Sequence, residues 1–324
     1  MFKIGPNPYG LTCTLGIQGQ HPNPKDLDWY VGLAIGMGGR SIEFHFEPLL
    51  RQTDAQLDIL RSTLEEHRIA PVVSGPWPLE RLAEGFPIAK RLGARTVRTH
   101  LSPVLCGDRA ELGPKWDGLV RDVRASLARL GPLAYDLGLS IAIEDHQDFG
   151  SRELLDFCEI GGPAVGICLD TGNPLAVGED PVAFAARVAP RVKHIHLKDY
   201  RAHRTSEGYR LVRCAIGDGA VPLRKIHAEL SADRNDYTAT LEPGALSARH
   251  IRLLTDRWRE KYMPECLDEI PACFETVAST EIPADTDWRT PWERDENIED
   301  ICRFEQAQMT RSIENMKGMG WLGA

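Results

Sequence analysis

Three carboxylates and one imidazole occupy comparable places in four apolar runs of this 324-residue chain. Glu144 lies in "SIAIEDH" (140–146), Asp170 closes "VGICLD" (165–170), His196 lies in "VKHIHLKD" (192–199), and Glu242 closes "YTATLE" (237–242). Side chains alternate between faces along a strand. If the four point one way, His146 shares the face of Glu144, and Cys168 and Gly166 share that of Asp170. His194 and Lys198 then flank His196, and Thr240 and Thr238 lie below Glu242. A lone glutamate at a strand end is ordinarily solvated, and a lone strand histidine is ordinarily structural. Four such groups on successive strands make a hard, oxygen-rich donor set for one divalent ion, Mn2+ first, with Mg2+, Co2+ or Zn2+ as alternatives. An ion there polarises a carbonyl, acidifies the adjacent C–H and stabilises an enediolate.

Two neighbours extend this chemistry. His146, beyond Glu144 and nearer solvent, acts either as a base free of the metal or as a group that orients Glu144. Lys198, above His196, either holds a carboxylate or oxyanion or is a solvated loop lysine, whereas His194 lies deeper and reads as structural. Polar residues also alternate with apolar ones in "SIEFHFE" (41–47) and "TVRTHLS" (96–102). Glu43 and His45 in the first, and Arg98 and His100 in the second, are candidates to bind substrate hydroxyls. Trp77 in "SGPWP" either stacks on a sugar face or packs on a helix.

Eight short apolar runs, each followed by a segment of helical period, carry these residues. Besides the four above they are 2–5, 41–47, 70–75 and 96–102. Helices are predicted over 26–38, 54–67, 79–93, 116–138, 151–160, 180–190, 222–231 and 245–262. That rhythm predicts an α/β fold of the (β/α)8 TIM-barrel type, with chemistry at the C-terminal ends of the strands. The barrel is predicted to span 1–262. Residues 263–324 form a C-terminal extension, rich in Pro, acids and Trp, that ends in a long helix over 297–320. Trp288, Trp292, Phe304 and Trp321 make it too apolar for a disordered tail, so it is expected to pack on the barrel or a partner subunit.

Composition narrows the function class. A net charge of −9 disfavours a nucleic-acid partner. No run approaches the roughly 20 apolar residues that cross a bilayer. The N-terminal residues lack the pattern of a secretion signal, so a cytoplasmic protein is expected. Its eight scattered cysteines form no C-x-x-C pair and are expected to be reduced.

The series "IAIEDH", "ICLDTGNP", "HIHLKD" and "LEPG" resembles the sugar phosphate isomerase/epimerase superfamily, the xylose isomerase-like barrels that include endonuclease IV. The resemblance covers about residues 1–260 and includes "GDGAVPL" (217–223), which matches a glycine-bearing loop of many members. It implies that Glu144, Asp170, His196 and Glu242 bind one divalent metal, and that Glu144 and Glu242 move protons on either face of a sugar carbon. Two departures matter. Asn173 stands where Asp-x-x-His members have histidine, and no later Asp-x-His pair completes the three-zinc cluster of endonuclease IV, which argues against DNA repair. Ala202 stands where ketohexose epimerases carry an arginine, which leaves Arg201, with Arg204 close by, as the substrate-binding candidate.

These readings give a metal-dependent sugar isomerase or epimerase working through an enediolate. The alternative is a lyase on an oxidised (3-oxo) sugar: a decarboxylase, a dehydratase or the barrel subunit of a C-glycoside deglycosidase. His146, Lys198, the absent arginine and the long extension lean towards the lyase. A non-enzymatic barrel is the third reading, and the intact quartet argues against it. The expected catalytic set is Glu144, Glu242, His146 and Lys198, with His100, Arg201, Glu43 and His45 on the substrate. The partners expected are a small sugar or oxidised sugar, a further copy of the chain in a homo-oligomer and a second small subunit.

Overall fold

The computed structural model describes residues 2–233 and 236–323. Its strands in chain order are β1 (Lys3–Pro6), β2 (Ser41–His45), β3 (Ala70–Ser74), β4 (Thr96–Thr99), β5 (Ser140–Glu144), β6 (Val165–Asp170), β7 (Val192–Leu197), β8 (Tyr200–Thr205), β9 (Gly208–Arg213), β10 (Thr238–Leu241) and β11 (Arg249–Ile251). Eight of them form one parallel sheet in the order β1-β10-β7-β6-β5-β4-β3-β2. The two edges of this sheet meet. Arg40 N–H donates to the Ile4 carbonyl at 2.8 Å, and a Cβ on Gly5 would lie 1.6 Å from the Ser41 carbonyl oxygen. Glycine at position 5 therefore lets the sheet curl into a nearly closed barrel. The chain is a TIM barrel.

Strands such as β6, buried along its whole length, read as continuous apolar runs because helices cover the outside of a parallel sheet. The helices are α1 (Leu27–Gly36), α2 (Phe46–Leu50), α3 (Asp54–Glu66), α4 (Phe86–Leu92), α5 (Lys115–Asp136), α6 (Ser151–Gly161), α7 (Pro181–Val188), α8 (Leu223–Asp233), α9 (Asp256–Tyr262), α10 (Ile270–Ala278) and α11 (Ile298–Gly318). In α3, Thr53 and Gln56 cap each other reciprocally, and Leu57, Leu60 and Leu64 form the buried stripe. Among the described residues no helix is long and apolar enough to cross a membrane. All eight cysteines are unpaired.

The helix expected over 79–93 is a 3-10 segment over Leu79–Gly85 followed by α4, which restarts with Pro87 in its first turn. The helix expected over 245–262 is shorter still, because only α9 is helical there. Its first part contains β11, which pairs antiparallel with β9. Together β8, β9 and β11 make a small sheet beyond the end of β7 that periodicity of helical length concealed.

The extension packs on the barrel. Met309, Met316, Trp321 and Leu322 join the main apolar core. Glu305 on α11 is fully buried and its carboxylate accepts four hydrogen bonds from the loop after β1. The donors are the Thr12 hydroxyl (3.0 Å), Cys13 N–H (3.1 Å), Thr14 N–H (2.8 Å) and the Thr14 hydroxyl (2.9 Å). That loop runs on to Ile17 and Gln18, which wall a cavity at the barrel mouth.

Glu305→Ala leaves two buried N–H groups without acceptors and is expected to lower stability by roughly 2–4 kcal/mol in urea melts. Unchanged stability would show that the loop is held by other contacts. A second prediction concerns Asp148, which accepts from the Ser102 hydroxyl at 2.6 Å. Burial pushes its carboxyl up to about 7. Because an unfolded carboxyl titrates near ~4, the folded state binds the proton more tightly, and stability falls as pH rises from about 4 to about 7. Asp148→Asn removes that slope, so wild type minus variant should decline across this window and level off above it.

Candidate metal centre and substrate cavity

Glu144 ends β5, Asp170 ends β6, His196 lies within β7, and Glu242 directly follows β10. Asp170 pairs in register with His196, and His196 with Thr240, so the barrel brings neighbouring strand ends to one level. One ligand atom from each of Glu144, Asp170, His196 and Glu242 lies within 4.8 Å of the others. All four residues are buried. His196 Nδ1 is 3.0 Å from Glu242 Oε2 and 3.7 Å from Glu144 Oε1. Among the described residues, neither His196 Nδ1 nor Glu242 Oε2 has a hydrogen-bond partner of good geometry. Buried polar atoms rarely stay unpaired, so orphaned donors converging on one point fit a cation.

Glu43 orients the imidazole. Its Oε2 lies 2.7 Å from His196 Nε2 and 3.0 Å from His194 Nε2, and Asn7 Nδ2 donates to it at 3.3 Å. Burial opposes the Glu43 charge, but His196 and His194 hold its carboxyl well below the ordinary range. An ionised carboxylate only accepts, so His196 Nε2 donates to Glu43, and Nδ1, turned towards Glu242, is the nitrogen from which a cation would displace a proton. Glu43 therefore lies under the centre and does not wall the cavity, contrary to its expected contact with substrate. His194 stays beneath as well, with Nδ1 2.8 Å from the Thr238 hydroxyl.

Buried cations balance the acids. Arg98 forms an ion pair with Glu144, and Lys198 pairs with Asp170 and, at 2.8 Å, with Glu242 Oε1. Burial works against the Lys198 ammonium, but Asp170 and Glu242 raise its proton affinity beyond that of a free lysine. Lys198 is thus buried rather than a solvated loop residue. Burial likewise opposes ionisation of Glu144, and Arg98 outweighs it, holding the carboxyl well below its usual value. Asp145, on the outward face, accepts the Asp170 N–H at 2.6 Å and steadies that strand end.

Above the centre lies a cavity of about 190 Å3. His100 and His146 stand side by side on one wall with ring centroids 4.7 Å apart, and Trp77 stacks on His100 at 5.3 Å. Burial drives His146 well below the ordinary histidine value and takes His100 down to about 4, so both rings are neutral. No hydrogen bond joins His146 to Glu144, and Arg98 holds that carboxylate instead. Two expected substrate residues lie elsewhere. His45 packs edge-on against Tyr9 outside the cavity wall, and Arg201 is exposed on β8, where the strand's alternation turns it outward. Sequence reasoning missed Arg213 on β9 and Arg249 on β11, which wall the cavity beside Glu242. The one sequence signal was "YRAHRTSEGYRLVR", two alternating runs around Glu-Gly. Asn173 is fixed by Gln147, whose Nε2 donates to it at 2.9 Å from a backbone with φ 74°.

The model of the xylose isomerase-like TIM barrel family matches residues 33–257. The chain belongs to that family. Among its xylose isomerase-like relatives, 3-oxo-isoapionate decarboxylase of Pectobacterium atrosepticum is 26% identical over 185 residues, 55% of this chain and 64% of the relative. Inosose dehydratase 1 of Bacillus cereus is 37% identical over 79 residues, 23% of this chain and 26% of the relative. The chain thus matches less than two thirds of the length of either. A crystal structure of D-psicose 3-epimerase in the presence of D-fructose superposes with a TM-score of 0.58 at 18% identity, covering 96% of this chain and 98% of that one.

Removing Glu43 should weaken the centre without touching a ligand. Glu43→Ala is expected to lower divalent-metal affinity by about 10–100-fold, with Glu43→Gln in between because its amide oxygen still accepts from Nε2. Elemental analysis after dialysis against metal buffers reads this out, with Glu242→Ala as the variant that loses most of the metal. Equal metal content in all four proteins would place the ion elsewhere.

Proposed function

We propose that this chain is a divalent-metal-dependent lyase that enolises a small oxidised sugar next to its carbonyl and resolves the enolate by expelling a substituent. The observation that carries the reading is the unequal state of the candidate bases. Glu144 is tied to Arg98, and Glu242 to Lys198 and, at 3.4 Å, to Arg213. His146 is neutral, lines the cavity and keeps a buried Nδ1 without a partner. A divalent ion among Glu144, Asp170, His196 and Glu242 would polarise the substrate carbonyl and stabilise negative charge on its oxygen.

His146 takes the proton from the carbon beside that carbonyl when water or an aglycone is expelled, and carries the proton returned to that carbon when carbon dioxide leaves, since a neutral imidazole there has no ion pair to break. Lys198, an ammonium 2.8 Å from Glu242 Oε1, presents N–H donors at the cavity floor to an oxygen that gains charge or departs. His100 and Trp77 support the His146 wall and keep water from it. The decarboxylase and dehydratase among the relatives support a reaction that loses a small molecule. The second reading, isomerase or epimerase, is favoured by Glu144 and Glu242 both approaching His196 Nδ1 from different strands.

The test is product analysis of 3-oxo sugars and keto sugars with Mn2+-loaded protein in D2O. The lyase reading expects a product lighter by water, carbon dioxide or an aglycone, with solvent deuterium at the carbon that is protonated last: the α-carbon after loss of carbon dioxide, the carbon that lost the leaving group after an elimination. A product of unchanged mass and altered stereochemistry would put the isomerase reading first. His146→Asn should lower kcat by roughly 10²–10⁴-fold with metal content unchanged, and full activity in that variant would remove the imidazole from the proton path.

A further inference from the structure

The wall of the cavity formed by the small sheet carries more positive charge than the acids beside it use. Arg213 is 7% exposed, and one of its Nη atoms is 3.4 Å from Glu242 Oε1. Arg249 pairs in register with Leu211, two residues before Arg213 on β9, so the two arginines are diagonal neighbours on one face. Among the described residues, no side chain forms an ion pair or hydrogen bond with the Arg249 guanidinium, and the Nε atoms of both arginines are buried without partners. Gly244, with φ 67°, passes so near that a Cβ there would lie 2.6 Å from Arg213 Nη1. The backbone is shaped around the guanidinium. Two adjacent like charges, Arg213 buried and Arg249 half-buried, share one carboxylate, Glu242, which is already paired with Lys198, and that is unfavourable unless a further anion completes the set.

We propose that Arg213 and Arg249 form a subsite for a carboxylate of the substrate, so that the enzyme acts on a sugar acid rather than a neutral sugar. The proposal rests on the cavity being the substrate site, as proposed above. Planar guanidinium forks match a carboxylate in two parallel hydrogen bonds. The usual alternative, a phosphate, is most often cradled by backbone N–H groups of a glycine-bearing loop. Here that loop is taken. Asp199 accepts from Gly217 and Gly219 N–H at 2.9 Å each, from Val221 N–H at 3.0 Å and from Tyr200 N–H at 2.9 Å. Burial and the charge of Arg213 also depress the proton affinity of Arg249, in keeping with a guanidinium that lacks its counter-ion.

Thermal melts with acetate, and with acetamide as its neutral isostere, test the subsite at constant ionic strength on metal-loaded and chelator-treated protein. Wild type should melt roughly 2–5 °C higher with acetate at about ten times its dissociation constant, with no rise from acetamide. Arg249→Met should lose the rise and melt higher than wild type in plain buffer, because a half-buried, unpaired charge beside Arg213 has gone. Arg249→Lys should keep a reduced rise, which covers the case where the methionine variant does not fold. An absent rise in wild type, or an equal rise in the variants, would overturn the subsite. A rise that disappears on chelation would place acetate on the metal, overturning the subsite while leaving the metal centre intact. Persistence of the rise after chelation supports the arginines whatever becomes of the metal reading. A larger rise with inorganic phosphate, also lost in Arg249→Met, would overturn the carboxylate in favour of a phosphate ester.

Discussion

Nε2 of His196 lies 2.7 Å from the Glu43 carboxylate in a part of the barrel closed to water. That contact keeps a ring proton on Nε2, away from Glu144 and Glu242, and turns Nδ1 towards those two acids. Nδ1 is therefore the nitrogen that would take a cation, in exchange for its own proton. Asn7, His194 and Thr240, from β1's end, β7 and β10, bond the same carboxylate oxygen, Oε2, and hold it in place. The candidate metal donors are thus positioned by a polar layer that spans the barrel floor. Closure at Gly5 matters to the site because it brings β1 and β2 into that layer.

The walls are supplied by parts outside the eight-stranded frame. Arg213 and Arg249 come from the antiparallel sheet, and Ile17 and Gln18 from the loop that Glu305 of α11 ties down. The small sheet has its own core, in which Tyr200, Tyr209 and Leu211 pack with Trp258 and Tyr262 of α9 and with Cys273 of α10. Specificity in a barrel lies in such additions while the strand ends keep the shared donors. The extension acts here as a buttress for two walls, through α10 on one side and α11 on the other.

The barrel frame was legible because parallel strands buried on both faces leave short apolar runs, and these alternate with helices of strong period. The quartet was legible because period two fixes which residues share a face, so Glu144, Asp170, His196 and Glu242 could be aligned before any contact was known. The same rule could not tell floor from wall. Glu43 and His45 share a strand face in sequence, yet Glu43 lies under His196 and His45 sits at the turn into α2, against Tyr9. Arg249 was hidden for a different reason. "ALSARHIRLLTDRW" has enough apolar residues at helical spacing to read as helix, and only pairing with β9 makes residues 249–251 a strand. Non-local pairing overrides local period.

The ion pairs that make the acidic floor tolerable also decide which groups are left without a charged partner. A carboxylate beside a buried guanidinium or ammonium gains stability in its charged form and loses affinity for a proton to the same degree. Arg98 does this to Glu144, and Lys198, His196 and Arg213 do it to Glu242 against the burial that opposes its charge. His146 has no carboxylate hydrogen-bonded to it, stands higher on the wall beside the neutral His100, and is kept uncharged by burial. A floor of well-compensated acids is therefore a good place to hold a cation and a poor place to accept a proton. His146, two residues beyond the end of β5, binds a proton weakly as well, but it is uncharged and has no ion pair to break before it accepts one.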